Sequence, residues 1–95
     1  MAMVADMAKF MEVAVAKIGP PRIGPHDDGE GALSVYFAGP PPVHVYANVV
    51  VDESSIIAFC CDKRDGSVRP HAFIATDVGI ADAVNVVAKH LGTKP

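Results

Sequence analysis

The stretch FCCDKRDGSVRPHAF, Phe59 to Phe73, holds both cysteines of the chain, two acids, three basic residues and a histidine. Groups of these types can supply a thiol nucleophile with an imidazole base, part of a zinc site or a redox pair. Spacing decides among them. Cys60 and Cys61 are adjacent, and adjacent residues of a strand point to opposite faces. Their geometry then opposes a bridge, so two reduced thiols are expected. Structural zinc takes cysteines separated by about two to four residues, so no metal and no cofactor is expected. Cys60 opposite His71, with Asp62 nearby, has the composition of a thiol triad. A flat sheet gives it no pocket, and no catalytic residue is assigned. Pairing of Cys60 and His71 in a small dimeric enzyme or ligand-binding domain stands as the alternative.

Other motifs carry less. The acidic run His26-Asp27-Asp28-Gly29-Glu30-Gly31 lacks the alternating ligands and closing Glu of a calcium loop. Neither glycine-rich phosphate motif, GxxxxGK or GxGxxG, occurs.

The elements that must position these residues follow from periodicity. Met7, Phe10, Met11, Ala14 and Ile18 recur at spacings of three and four, which predicts an amphipathic helix. Gly19-Pro20-Pro21 ends it. Residues 19–31 read as a Pro/Gly-rich loop. Four alternating segments follow: ALSVYFA, VHVYANVVV, IIAFCCDK and VRPHAFIAT. Pro70 cannot donate to a ladder, which places the last at a sheet edge or Pro70 at a bulge. Thr76-Asp77 then reads as a helix N-cap, with Ile80, Val84, Val87, Ala88 and Leu91 as the apolar stripe and Gly92 as the left-handed cap.

The order is α-β-β-β-β-α. The expected fold is α+β, a two-layer sandwich in which a four-stranded antiparallel sheet carries both helices on one face. Closing the last hairpin at Asp65-Gly66 sets Ile57 opposite Ile74, Phe59 opposite Ala72 and Cys61 opposite Pro70. Cys60 then faces His71, and Asp62 faces Arg69. The core face becomes Leu33, Val35, Phe37, Val45, Ala47, Val49, Val51, Ile57, Phe59, Cys61, Ala72 and Ile74. Cys61 is expected to be buried and Cys60 more accessible.

Composition bounds the function. The 95 residues are 51 % hydrophobic, enough for one core, so residues 1–95 form a single domain outside the disorder regime. Net charge is −3, and the eight Lys and Arg form no stripe. Direct nucleic-acid contact is not expected. Asp6, Lys9, Glu12 and Lys17 interrupt the N-terminal apolar run, so neither a signal peptide nor a membrane contact is expected and the location reads as cytoplasmic.

What is left is a small acidic domain with one open sheet face. The expected function is protein binding, as a non-enzymatic inhibitor of another macromolecule. Immunity proteins, antitoxins and phage-encoded anti-defence proteins such as anti-CRISPRs share this size and charge. The expected binding residues are Tyr36, His44, Tyr46, Asn48, Asp62, Arg69, His71 and Phe73, aromatic and polar groups of the kind enriched at interface centres. A homodimer through the same face is the companion expectation.

Overall fold

The computed structural model describes residues 2–92, with side chains described from Asp6 onward. The chain runs α1 (Ala2–Lys17), β1 (Ile23–Asp27), β2 (Leu33–Ala38), β3 (Val45–Asp52), β4 (Ser55–Asp62), β5 (Ser67–Ile74) and α2 (Asp77–Leu91). The strands pair in chain order as one antiparallel sheet. Both helices lie on the same face and touch each other. α1 covers β2 and β3, and α2 covers β3, β4 and β5.

The sheet has five strands, not four. The extra strand, β1, lies inside the expected 19–31 loop. It contains Gly24 and Pro25, and all five of its residues are exposed. It therefore has no alternation to betray it. Backbone pairing alone places it: Ile23 opposes Tyr36 and Asp27 opposes Leu33, with a bulge between Ile23 and His26.

The core face of β2 and β3 is as expected: Val35, Phe37, Ala47, Val49 and Val51 are buried. On β4 the expectation fails, and the cause is local. Asp52 pairs with Ser55, so only Glu53 and Ser54 make the turn, and Ser54 takes a left-handed φ of 58°. Val51 then opposes Ile56, Val49 opposes Ala58 and Ala47 opposes Cys60. Directly opposed residues share a face, so Ile56, Ala58 and Cys60 join the core. Ile57, Phe59 and Cys61 point outward.

The last hairpin is also displaced. Its loop is four residues, Lys63 to Gly66, closed between Asp62 and Ser67. Cys60 opposes Arg69, not His71; Ala58 opposes His71; Asp62 opposes Ser67. The Gly66 amide donates to the Asp62 carbonyl at 2.9 Å, and Gly66 supplies the required φ of 71°.

α2 is tied to the sheet at both ends. The Ala75 amide donates to the Ser54 carbonyl at 2.9 Å, where the helix approaches. Thr76 caps the first turn through its hydroxyl, which accepts from the Gly79 amide at 3.1 Å. Gly79 itself packs so close to β5 that any Cβ there would collide with the Ile74 carbonyl oxygen. At the far end His90 Nε2 lies 2.8 Å from the Cys61 carbonyl oxygen. A carbonyl only accepts, so Nε2 carries the proton. The left-handed Gly92 closes the helix.

Two substitutions check this arrangement by chemical denaturation. Ile56→Ala should cost about 2–5 kcal/mol, the usual range for emptying a buried aliphatic site, while Ile57→Ala costs well under half of that. The reverse order would place the wrong face of β4 in the core. Gly79→Ala should cost at least about 1–3 kcal/mol, because the new methyl meets backbone and not a side chain that can move.

Candidate functional site

The outward face of the sheet is built in cross-strand rows. One row is Ile23, Tyr36, Asn48, Phe59 and Pro70, taken from β1 to β5. Ala38, Tyr46, Cys61 and Val68 form the next row on one side. His26, Ser34, Val50, Ile57 and Ala72 form the next on the other. No Asp, Glu, Lys or Arg stands in these three rows. Charges begin only at the ends of the strands, with Asp52 at one end and Lys63 at the other.

Nothing in the described residues covers this face. Ile23 is 54 % exposed, Val68 57 % and Ile74 69 %. Tyr36 and Tyr46 lean together with ring centroids 5.3 Å apart, and the Lys63 ammonium sits 5.7 Å from the Tyr46 ring centre. Cys61, although outward, is buried beneath its neighbours at 5 % exposure. The Cys61 thiol beside it raises the Tyr46 phenol above its ordinary value.

At strand spacings of about 4.8 Å and about 3.4 Å per residue, the three rows and their margins cover on the order of 500 Å². Asn48 and Ser34 lie within that footprint, and Tyr36, Tyr46, Val50, Ile57 and Phe59 are half-buried in it. The two edge strands are poor templates for pairing, since each carries a proline, Pro25 in β1 and Pro70 in β5.

A second surface lies on the helix side. Between the last turns of α2 and the β4–β5 margin runs a groove of about 550 Å³ lined by Cys60, Arg69, His71, Val86, Lys89 and His90. Beside it a hollow of about 210 Å³ adds Asp62, Asp65 and Ser67. Both carboxylates there are already engaged. Asp62 Oδ2 meets Arg64 at 2.8 Å, and Asp65 accepts from the Ser67 amide at 2.9 Å. Arg64 and its hydrogen bonds hold the Asp62 carboxyl down at about 2.

The expected binding residues therefore divide. Tyr36, Tyr46 and Asn48 stand on the open face, with exposed His44 at the foot of β3. Asp62, Arg69, His71 and Phe73 do not join them; they lie on the helix side. Phe73 opposes Ile56 and packs against the core. The cation held by Asp62 is Arg64, not Arg69. Phe59, Ile57 and Val68 were missed as outward residues. The length of the Glu53–Ser54 turn was the signal that could have revealed them.

The thiols are unbridged and Cys61 is buried, as expected, but Cys61 lies on the outward face and Cys60 is not the more accessible of the two. Both are free and both are buried. Cys60, expected on the accessible side, is 3 % exposed in the floor of the groove. Burial raises its pKa, with Cys61 adding to the effect. A buried, protonated thiol is a poor nucleophile. The structure does gather Cys60, His71 and His90 around one groove, yet none of the three is within hydrogen-bonding distance of another. Among the described residues no three His, Cys, Asp or Glu side chains converge as metal ligands, and no helix is long and apolar enough to cross a membrane.

The chain matches no family model, no curated protein and no solved structure.

The Asp62–Arg64 pair gives a pH test. The folded Asp62 carboxyl sits at about 2, below the ordinary value of about 3.9. A depressed acid contributes stability above its unfolded pKa and loses it as pH falls through the folded one. The contribution is therefore complete above about pH 4 and fades down to about pH 2. Carboxyl NMR should show Asp62 titrating near 2, and Arg64→Ala should return it toward the ordinary range. An unchanged midpoint in that variant would assign the depression to another cause.

Proposed function

We propose that the protein is a non-enzymatic protein-binding module whose working surface is the open sheet face. One observation carries this reading: a five-stranded face holds three uncharged, largely apolar rows and stays uncovered. Burial of apolar area is worth about 25 cal/mol per Å² before the costs of association. A partner that covers Tyr36, Tyr46, Ile57 and Phe59 gains most of what the face offers.

The face also states what it fits. Its occupant is a protein surface that is apolar at the centre, with an acid to meet Lys63 and a cation to meet Asp52. Inhibition is the narrower form of the same reading. Masking another macromolecule needs area and complementarity, and it needs no reacting group. The enzymatic alternative is weaker on chemical grounds, because the Cys60 thiol it relies on is buried, has a raised pKa and lies opposite Arg69, not His71.

A second copy of the chain is the rival occupant. Turned about a two-fold axis across the strands, it would lay β4 on β4 and bring each Asp52 end over the other's Lys63 end. Light scattering and affinity capture separate the cases. Phe59→Asp and Tyr36→Ala should each abolish or weaken capture of a saturably bound partner by about 1–4 kcal/mol, the range of interface hot spots, with the circular dichroism spectrum unchanged. Wild type that scatters as a dimer, and becomes a monomer in Phe59→Asp, assigns the face to self-association. If both variants remain unchanged in mass and in capture, the face is not the working surface.

A further inference from the structure

The groove beside α2 has a chemistry of its own. The chain is acidic, at net −3, yet this groove gathers two fixed cations and two imidazoles. Arg69 comes from β5, across from Cys60. His71 follows on the same face of the same strand. Lys89 and His90 come from the last turn of α2. No carboxylate lines the groove. The nearest acids, Asp62 and Asp65, line the adjoining hollow together with Arg69 and His90; Asp62 is paired with Arg64, and Asp65 accepts from the Ser67 amide and keeps its charge. Arg69, His71 and Lys89 have no side-chain hydrogen-bond or ion-pair partner among the described residues.

The elements hold these groups from two sides. β5 is paired along its length with β4, which fixes the origins of Arg69 and His71. His90 is fixed by donating Nε2–H to the Cys61 carbonyl, and this seats the turn that carries Lys89. Val86 and Cys60 give the groove apolar lining between the exposed side chains of Arg69, His71 and Lys89. The C-terminal end of α2 adds partial negative charge; Gly92 partly offsets it, because its amide donates to the Lys89 carbonyl at 3.2 Å.

We propose that this groove is a binding site for a small phosphate-bearing anion. Arg69 offers a planar guanidinium fork suited to paired phosphate oxygens. Lys89 faces it as a point charge, and His71 adds a further nitrogen. Two fixed cations match a phosphate or pyrophosphate group. They are too few to track a nucleic-acid backbone, which takes a run of phosphate contacts. The groove's volume of about 550 Å³ holds such a group with room for a small attached body along Val86.

The site lies on the opposite side of the sheet from the proposed protein-binding face, so the two stand or fall separately. The test is a titration of the full chain at low salt with inorganic pyrophosphate, followed by amide and imidazole NMR. Saturable shifts should appear at Arg69, His71, Lys89 and His90. Arg69→Gln and Lys89→Gln should each weaken binding at least fivefold, and the double variant should remove it. Lys9→Gln, whose ammonium pairs with Asp77 at the other end of α2, should bind as wild type, and so should Phe59→Asp. ADP binding as tightly as pyrophosphate would show that the phosphates alone are read; tighter binding would show that the attached body uses the Val86 floor. Non-saturating shifts, or equal weakening by Lys9→Gln, would reduce the effect to diffuse attraction and overturn the site. Melting curves of the Gln variants confirm that each is folded.

Discussion

The turn at Glu53 and Ser54 decides which half of the sheet the helices cover. A hairpin closed by two residues pairs Asp52 with Ser55 and sets every later pairing on β4. Lengthening that turn by one residue would exchange the two faces of β4, because side chains alternate with a period of two. β5 inherits the choice through its own pairing with β4. So the core membership of Ile56, Ala58 and Cys60, the outward position of Phe59 and the place of Arg69 in a groove all follow from one short connection. The Ser54 carbonyl also receives the Ala75 amide, so the same turn anchors the start of α2.

That anchoring explains how one helix can shape a groove. α2 is fixed at its first turn by Ser54, Thr76 and the close seat of Gly79, and near its last turn by His90 on the Cys61 carbonyl. Its middle contributes Ile80, Ala83, Val84 and Val87 to the core. The helix therefore cannot slide along β4 and β5 without losing both ties. Phe73 lies under its cover, while Arg69 and His71, further along the strand, emerge beside its C-terminal half. A cleft between a fixed helix and an edge strand results, with charge only along its walls.

Much of this was legible in residue order. Both helices, with their stripes and the Thr76 and Gly92 caps, followed from periodicity. So did β2 and β3, where apolar and polar residues alternate cleanly. β1 was hidden, since an edge strand with every residue exposed needs no hydrophobic pattern, and Gly24-Pro25 imitates a loop. The faces of β4 were hidden for a different reason. Ile56, Ala58 and Cys60 alternate with Ile57, Phe59 and Cys61, so both phases of the period are apolar. Matching Asp62 to Arg69 across the hairpin was a reasonable use of charge, but Asp62 turned instead to Arg64 two residues away. A local pair that also caps a loop costs less chain ordering than one that dictates a whole register. The candidate binding residues divided between two surfaces because the short β3–β4 turn put Ile56, Ala58 and Cys60 on the helix side, and Arg69, His71 and Phe73 follow them across the β4–β5 pairing.

The ambiguity of β4 is itself informative. A strand with one solvated face normally reads as apolar alternating with polar. β4 reads as a strand covered on both sides, yet α1 and α2 cover only one. The same excess continues on β5, where Val68, Pro70, Ala72 and Ile74 all point away from the helices. Water is a poor neighbour for this surface, and the edge prolines discourage its satisfaction by strand addition. The helix side of the same two strands offers the opposite chemistry, with cations rising from an apolar floor. One sheet thus separates an uncharged face from a charged groove, and substitution on one side leaves the other's side chains in place. Phe59 and Cys60 make the separation concrete: neighbours in sequence, they belong to surfaces that share only a backbone.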